Sequence, residues 1–354
     1  MPSTAYNTLL AVAEQVKLWI TPAHQTYAEL PSGAVPLWSE DFFTWCIAKF
    51  NFQNFPAPIT YNTVLRTLDQ AAQSQPRQKT QQANLRTAAT KNGYEIDLGN
   101  QSIQVTGKEW KITQHPGPAP DDNRGKCTFL RPLANRPLPP PTESEKELPD
   151  YLRAAFGIKP ASPREEDSAK ALSQWLELAL RPDQPCPPLI LTGEFRDEAA
   201  EAIRNLIDPA ACAMLPFPTG RNEAGCMALY NRVLAFQIFG TITTFRRSII
   251  TELAQGRFQA RLRQADHKGP VLYQPLGRPV IITADDAPEI CSNQIVIEIK
   301  KCDPLPQQEV LAALFDQMVR SLRDEPKSQP EPDYPEAPAT RNSFDSLEAI
   351  APFP

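Results

Sequence analysis

Arginines interleaved with an aromatic ring are the residues whose types and spacing most directly suit chemistry in this chain. Residues 246–278 hold seven basic side chains against Glu252 and Asp266, a local excess of +5 in a chain whose formal net charge is −5. Within that stretch Arg257, Phe258, Arg261 and Arg263, followed by Lys268, combine cations that suit phosphate with a ring that suits stacking on a base. These five residues are the candidate nucleic-acid-binding set. The competing expectation is a solvated amphipathic surface whose arginines pair with nearby acids.

Nucleophilic and metal chemistry have less to stand on. Seven cysteines (Cys46, Cys127, Cys186, Cys212, Cys226, Cys291 and Cys302) include no C-x-x-C pair and are odd in number. Neither a disulfide framework nor a zinc site is expected; reduced, mostly buried thiols are. The three histidines, His24, His115 and His267, do not stand near a Ser or Cys in a nucleophile context, which argues against a catalytic triad. Apolar runs such as 188–191 and 280–282 are far too short to cross a bilayer, and the N-terminus lacks a basic-then-apolar signal pattern. The expectation is a cytoplasmic protein without membrane contact.

The elements that must position these residues are punctuated by proline, 38 residues against 14 glycines. Prolines cluster at 116–120, at 132–141 and beyond 326, where neither a helix nor a central strand can continue. This predicts an N-terminal α+β domain over 1–115, a proline-rich joint over 116–145, an α/β domain over 146–323 and a disordered acidic tail over 324–354. In the first domain, Ser39 caps a helix carrying Phe42, Phe43, Cys46, Ile47 and Phe50, and a second helix spans about 61–72. Strands at 94–98, 102–105 and 110–113, separated by Gly-Asn and Gly-Lys, read as a meander following those helices.

After the joint, Ser162, Pro163 and Glu165 resemble a helix start, and Ala171, Leu172, Trp175, Leu176 and Ala179 recur at helical spacing. An apolar strand over 188–192 runs into Gly193, and an Ala-rich helix spans about 197–207. Aliphatic runs at 233–236, 280–284 and 295–299 are of the kind buried on both faces of an α/β sheet. A parallel or mixed sheet is the natural architecture.

From about residue 28 to 322 the chain resembles the ATP-binding proteins of bacterial phages and integrated mobile elements that contain a superfamily-3-like, primase-helicase-type P-loop ATPase. The matching stretches include Val35-Pro36-Leu37, Phe43-Thr44-Trp45, Ile96-Asp97-Leu98-Gly99, Arg131-Pro132-Leu133 and Pro137-Leu138-Pro139. They continue through residues 175–182 and 189–194, Leu206-Ile207-Asp208-Pro209, residues 233–236 and Arg278-Pro279-Val280-Ile281-Ile282. Their order and spacing carry the resemblance, which implies a P-loop NTPase-like fold (AAA+ and superfamily-3 helicase-like) preceded by a smaller α+β domain.

Measured against that family, four functional marks depart. The family's strand runs into Gly-Glu-x-Gly-Ser-Gly-Lys-Ser/Thr, whose backbone N–H groups cradle phosphate. Here Gly193-Glu194-Phe195 passes directly to Arg196-Asp197, a loss of three residues that puts Arg196 at the lysine position and Asp197 at the hydroxyl position. Gln237 stands where an Asp should organise magnesium, and Thr283 where the sensor Asn is usual. Ser292-Asn293 replaces the Asp-Arg that holds a candidate arginine finger. Gly193, Glu194, Arg196, Asp197, Gln237, Thr283 and Asn293 are thus read as a degenerate nucleotide site without catalytic residues. By itself, Gly193-Glu194 also reads as a tight strand-to-helix turn.

The resemblance further implies that residues 256–263 belong to a β-hairpin that projects toward nucleic acid. The expected function is a non-catalytic, ATPase-derived nucleic-acid-binding or assembly factor with no cofactor. The alternatives are an active NTP-dependent helicase accessory with an atypical phosphate loop, which would need ATP and magnesium, and a decayed pseudoenzyme. The tail from residue 324 carries seven acids against Lys327 and Arg341. Its last block, with Phe344, Leu347, Ile350 and Phe353, is a candidate contact for replication proteins, beside the plainer reading of a solvated tail. DNA is the other expected partner, and homo-oligomer formation stays open.

Overall fold

The computed structural model describes residues 11, 15–21, 25–31, 33–50, 58–74, 83–114, 128–132, 135–158, 167–210, 214–262 and 272–325. Three short strands come first: β1 (Lys17–Ile20), β2 (Thr26–Leu30) and β3 (Gly33–Pro36), paired antiparallel in sequence order. Trp19 and Tyr27, cross-strand partners, stack with ring centroids 4.7 Å apart. Strands therefore precede the helices, correcting the order expected from sequence. Segments of four or five residues with weak alternation leave almost no periodic signal.

Helix α1 (Glu40–Phe50) begins where Phe42 N donates to Ser39 Oγ at 3.1 Å, as the capping pattern predicts. It buries Phe42 and Cys46, one turn apart, in a cluster that α2 (Pro58–Ser74) completes with Val64, Leu65 and Leu68. Strands β4 (Ala83–Leu85) and β9 (Thr128–Leu130) extend the first sheet in the order β1-β2-β3-β9-β4.

The expected meander is present and has one more strand than predicted: β5 (Thr87–Thr90), β6 (Gly93–Asp97), β7 (Gln101–Thr106) and β8 (Trp110–Gln114). Gly99-Asn100 turns the chain between β6 and β7, with Gly99 N donating to Asp97 Oδ1 at 2.9 Å and φ at 107°. Tyr94, Ile96, Ile103 and Val105 share one core cluster with Trp175, Leu189 and Phe315. The core thus continues across the proline-rich joint instead of parting there. Prolines mark extended backbone, but Leu138 in the joint is buried and its N–H donates to Leu98 O at 3.1 Å.

The remaining chain alternates helix and strand. Helices α3 (Leu148–Phe156) and α4 (Ser168–Leu180) precede β10 (Leu189–Thr192), α5 (Arg196–Ile207), α6 (Arg221–Tyr230), β11 (Leu234–Gln237) and α7 (Thr244–Ala254). A hairpin of β12 (Phe258–Leu262) and β13 (Leu272–Leu276) follows, then β14 (Val280–Thr283), β15 (Ile295–Glu298) and α8 (Gln307–Asp324). Ser162, Pro163 and Glu165 lie outside the described residues; α4 is described from Ser168, where Asp167 Oδ1 accepts from Ala169 N at 3.1 Å.

Strands β11-β14-β10-β15 form a wholly parallel sheet in that order. Alternation assigns its faces. Leu189, Leu191, Ala235 and Ile281 point into the cluster with α3, α4, α5 and α8; Ile190, Leu234, Phe236, Val280 and Ile282 point into a second cluster with α6, α7 and Phe258 of β12. Both faces of β10, β11 and β14 are covered and those strands are apolar up to their last residue, whereas the edge strand β15 exposes Val296 and Glu298.

The thiols follow the packing. Cys46 and Cys186 are buried and Cys226 is exposed, and burial pushes the Cys46 thiol up to about 12. Iodoacetamide at neutral pH should therefore label Cys226 well before Cys46 or Cys186, which react only after denaturant is added. Peptide mass mapping reads this, and early modification of Cys46 would contradict the packing.

Candidate functional site: the carboxyl edge of the parallel sheet

Strands β10, β11 and β14 end at the same edge of the sheet. Thr283 pairs in register with Leu191 on one side and Gln237 on the other, so β14 stands between the other two ends. Open α/β sheets take ligands outside the carboxyl ends of their strands, so this edge is where a nucleotide site would be built.

Only Gly193, Glu194 and Phe195 separate β10 from α5. Gly193 has φ 96°, and a Cβ there would stand 2.2 Å from Ile299 O. Ile299 in turn donates its N–H to Thr192 O at 2.8 Å, so the turn is pressed against backbone leaving β15. A three-residue turn so confined has no glycine-rich stretch with which to wrap a phosphate.

The charged groups that open α5 find partners within the chain, while Asp197 Oδ1 and Arg196 Nε are buried without a hydrogen-bond partner among the described residues. Arg196 bends back over the turn, Nη1 donating to Gly193 O at 3.0 Å and Nη2 to Asp285 Oδ1 at 2.6 Å. Gln237 Nε2 donates to Asp197 Oδ2 at 2.8 Å. The Asp285 side chain is 70% exposed, so its ion pair with Arg196 contributes no more than about 1 kcal/mol. The pair matters for position: it holds the Arg196 cation on a carboxylate of the same edge. Thr283 is fully buried, and its Oγ1 has no hydrogen-bond partner among the described residues. Glu194 is exposed on the turn.

The structure thus brings together Gly193, Arg196, Asp197, Gln237 and Thr283. Asn293 stands apart at the opposite edge, because β15 begins at Ile295 beside Pro188, whose O accepts from Ile295 N at 2.9 Å. Asp285 belongs to the cluster and sequence reading missed it; the available signal was Asp285-Asp286 directly after an apolar strand.

Among the candidate nucleic-acid residues, Phe258 needs correcting. It begins β12 with its ring fully buried in the cluster with Ile249, Leu253 and Leu276, and the Arg221 guanidinium lies 4.9 Å from the ring centroid. A ring so covered cannot stack on a base. Glycine-to-strand entry turned it inward, a direction that spacing alone does not determine. Arg257 is exposed and makes no ion pair among the described residues. Arg261 lies on β12; Arg263 and Lys268 lie outside the described residues.

Two other phenylalanine rings are exposed instead, Phe239 at 71% on the segment joining β11 to α7 and Phe245 at 44% in the first turn of α7. Their signal in the sequence is two phenylalanines flanking Gly240 and followed by Arg246-Arg247, outside the stretch that spacing singled out. Among the described residues no helix is long and apolar enough to cross a membrane, and no group of three or more His, Cys, Asp or Glu is placed to hold a metal ion.

The fold and this edge define a mixed α/β protein: a four-stranded parallel sheet flanked by helices, with a five-stranded sheet of mixed direction and an antiparallel meander. No protein-family model matches the chain, and no curated protein matches it. Among solved structures it is similar to the A-form apo structure of the NrS-1 C-terminal region, at 9% identity and a TM-score of 0.39, over 90% of this chain and 69% of that one. It is also similar to the SCCmec type IV Cch active helicase, at 13% identity and a TM-score of 0.36, over 86% of this chain and 57% of that one. Similarity at this level transfers neither activity nor ligand.

Proposed function

We infer that this chain is a non-catalytic relative of superfamily-3-like P-loop ATPases and serves as a nucleic-acid-binding or assembly factor. The observation that carries the reading is that the charged side chains at the carboxyl edge bond within the chain: Arg196 to Gly193 O and Asp285, and Asp197 Oδ2 to Gln237. In the ATPases that the sequence resembles, those positions turn their charge and hydrogen bonds toward phosphate and magnesium. Here they face one another across a turn of three residues. Replacing the metal-organising carboxylate by the neutral amide of Gln237 removes the charge that a magnesium ion needs. The exposed side chains of Arg247 and Arg257 support the nucleic-acid part of the reading.

Thermal unfolding of the full chain with and without ATP and magnesium chloride tests the catalytic half. A ligand at a hundred times its Kd stabilises by about 2.7 kcal/mol, a shift of several degrees. The expected result is no shift beyond that produced by inorganic phosphate, and no phosphate release. A saturable stabilisation by ATP that disappears in Arg196→Glu would overturn the reading.

A further inference from the structure

We propose that the segment from β11 into the first turn of α7, carrying Phe239, Phe245, Arg246 and Arg247, is a stacking surface for single-stranded nucleic acid. It deepens the nucleic-acid part of the function inferred above by naming the surface and the form of nucleic acid it takes.

The exposure of these rings is built in by their neighbours. Ile238 and Ile242 are both buried in the cluster beneath α7, at 2% and 7%, and peg the two ends of the loop. Between them Gly240 takes φ 70°, with nothing within 4 Å of where a Cβ would stand. With both isoleucines inside, alternation turns Phe239 outward, and it is the most exposed of the large hydrophobic side chains among the described residues. Phe245 projects from the second position of α7, whose start is fixed by Thr243 Oγ1 accepting from Arg246 N at 3.3 Å.

Two cations follow Phe245 directly on the first turns of α7. The Arg246 guanidinium lies over Phe217, 5.0 Å from the ring centroid, and Phe217 packs on buried Phe236 at 5.0 Å. The Arg246 guanidinium is thereby anchored to the core through two rings, and guanidinium groups stack on bases as aromatic rings do. Arg247 is exposed and forms no ion pair among the described residues. Two acids of the neighbourhood are already engaged, Glu252 with Arg221 at 2.5 Å and Asp285 with Arg196 at 2.6 Å. The cations at the rings therefore favour a polyanion over an apolar protein face. Only a single strand exposes base faces to such rings, whereas a duplex offers them no stacking partner.

The test uses the full chain and fluorescence anisotropy with a labelled oligothymidylate and with a duplex of equal length, each at two potassium chloride concentrations. The wild type should prefer the single strand. Phe239→Ala with Phe245→Ala should weaken that binding by about tenfold or more while leaving its salt dependence unchanged. Arg246→Gln with Arg247→Gln should reduce the slope of log K against log salt by about 0.7 for each phosphate that is no longer neutralised. Circular dichroism melting checks the fold, and Phe239→Ser alone carries the test if the double variant is unstable.

Wild-type binding that is equal in the phenylalanine variants, or lost only in Arg257→Gln, overturns this surface while leaving the nucleic-acid reading intact. No binding of either probe overturns both. Self-association of the wild type in sedimentation that Phe239→Ala abolishes, without nucleic-acid binding, makes the patch a protein interface and overturns the proposal.

Discussion

Asp208→Ala should lower the free energy of unfolding by about 3–5 kcal/mol, the cost of leaving a buried charge and its donors uncompensated. Asp208 follows α5 and is fully buried. Its Oδ2 accepts from Arg232 N at 2.7 Å and from Val233 N at 3.2 Å, fixing the entry to β11. Its Oδ1 lies 3.5 Å from Arg86 Nε. Arg86 is itself buried, holds a left-handed φ of 62°, and donates to Arg136 O at 2.8 Å in the joint. One carboxylate thus ties the parallel sheet to the meander and to the proline-rich joint.

Arg232 adds to the demand for negative charge there. Its Nε and Nη2 both donate to Ala179 O, at 3.1 and 2.8 Å, and burial pushes its guanidinium down to about 10, still charged at neutral pH. Urea unfolding of both proteins, compared at constant m, measures the effect. Asp208→Asn keeps one carbonyl oxygen to accept from the two N–H groups but loses the charge and sets an amide donor against Arg86 Nε, so it should fall between wild type and the alanine variant. A loss below about 1 kcal/mol in the alanine variant would mean that the carboxylate does not hold the junction.

Gly193→Ala is the second large effect expected, about 2–5 kcal/mol. Two costs add. An alanine at φ 96° is strained by about 1–3 kcal/mol, and its Cβ would meet Ile299 O at 2.2 Å. That oxygen belongs to backbone tied to Thr192, so relief requires breaking the β10–β15 ladder at its end. Overpacking of this sort costs about 1–3 kcal/mol more. Gly240→Ala is the internal control: φ is also positive, at 70°, but the Cβ meets nothing within 4 Å, leaving strain alone. Denaturant midpoints should rank Gly193→Ala well below Gly240→Ala. Equal losses would remove the close approach as the reason for this turn.

Much of the fold was legible in the residues. Ser39 marks a helix start because a cap is an interaction over three residues. The apolar runs that became β10, β11 and β14 stand out because burial on both faces forbids polar interruption. Gly193 was legible as a strand-to-helix turn because a glycine between an apolar strand and a helix is a local signal, whereas its close approach to Ile299 O was not legible. Strands β1 to β3 escaped because they are short, and the joint looked like a domain boundary because proline reports backbone conformation and says nothing of what packs on it.

By itself, then, the sequence determined the kinds of element, their approximate limits and the missing glycines after β10, all consequences of interactions within a few residues. Tertiary structure alone decided that β14 enters between β10 and β11, which sets Gln237 beside Thr283 and across from Asp197. It also decided that Arg196 answers to Asp285, 89 positions away. And it decided which phenylalanine faces water: Phe258 and Phe239 both lie within two residues of a glycine and precede arginines, but α6 and α7 cover the first while Ile238 and Ile242 turn the second out. Coverage depends on what the rest of the chain brings alongside, and no window of sequence contains that.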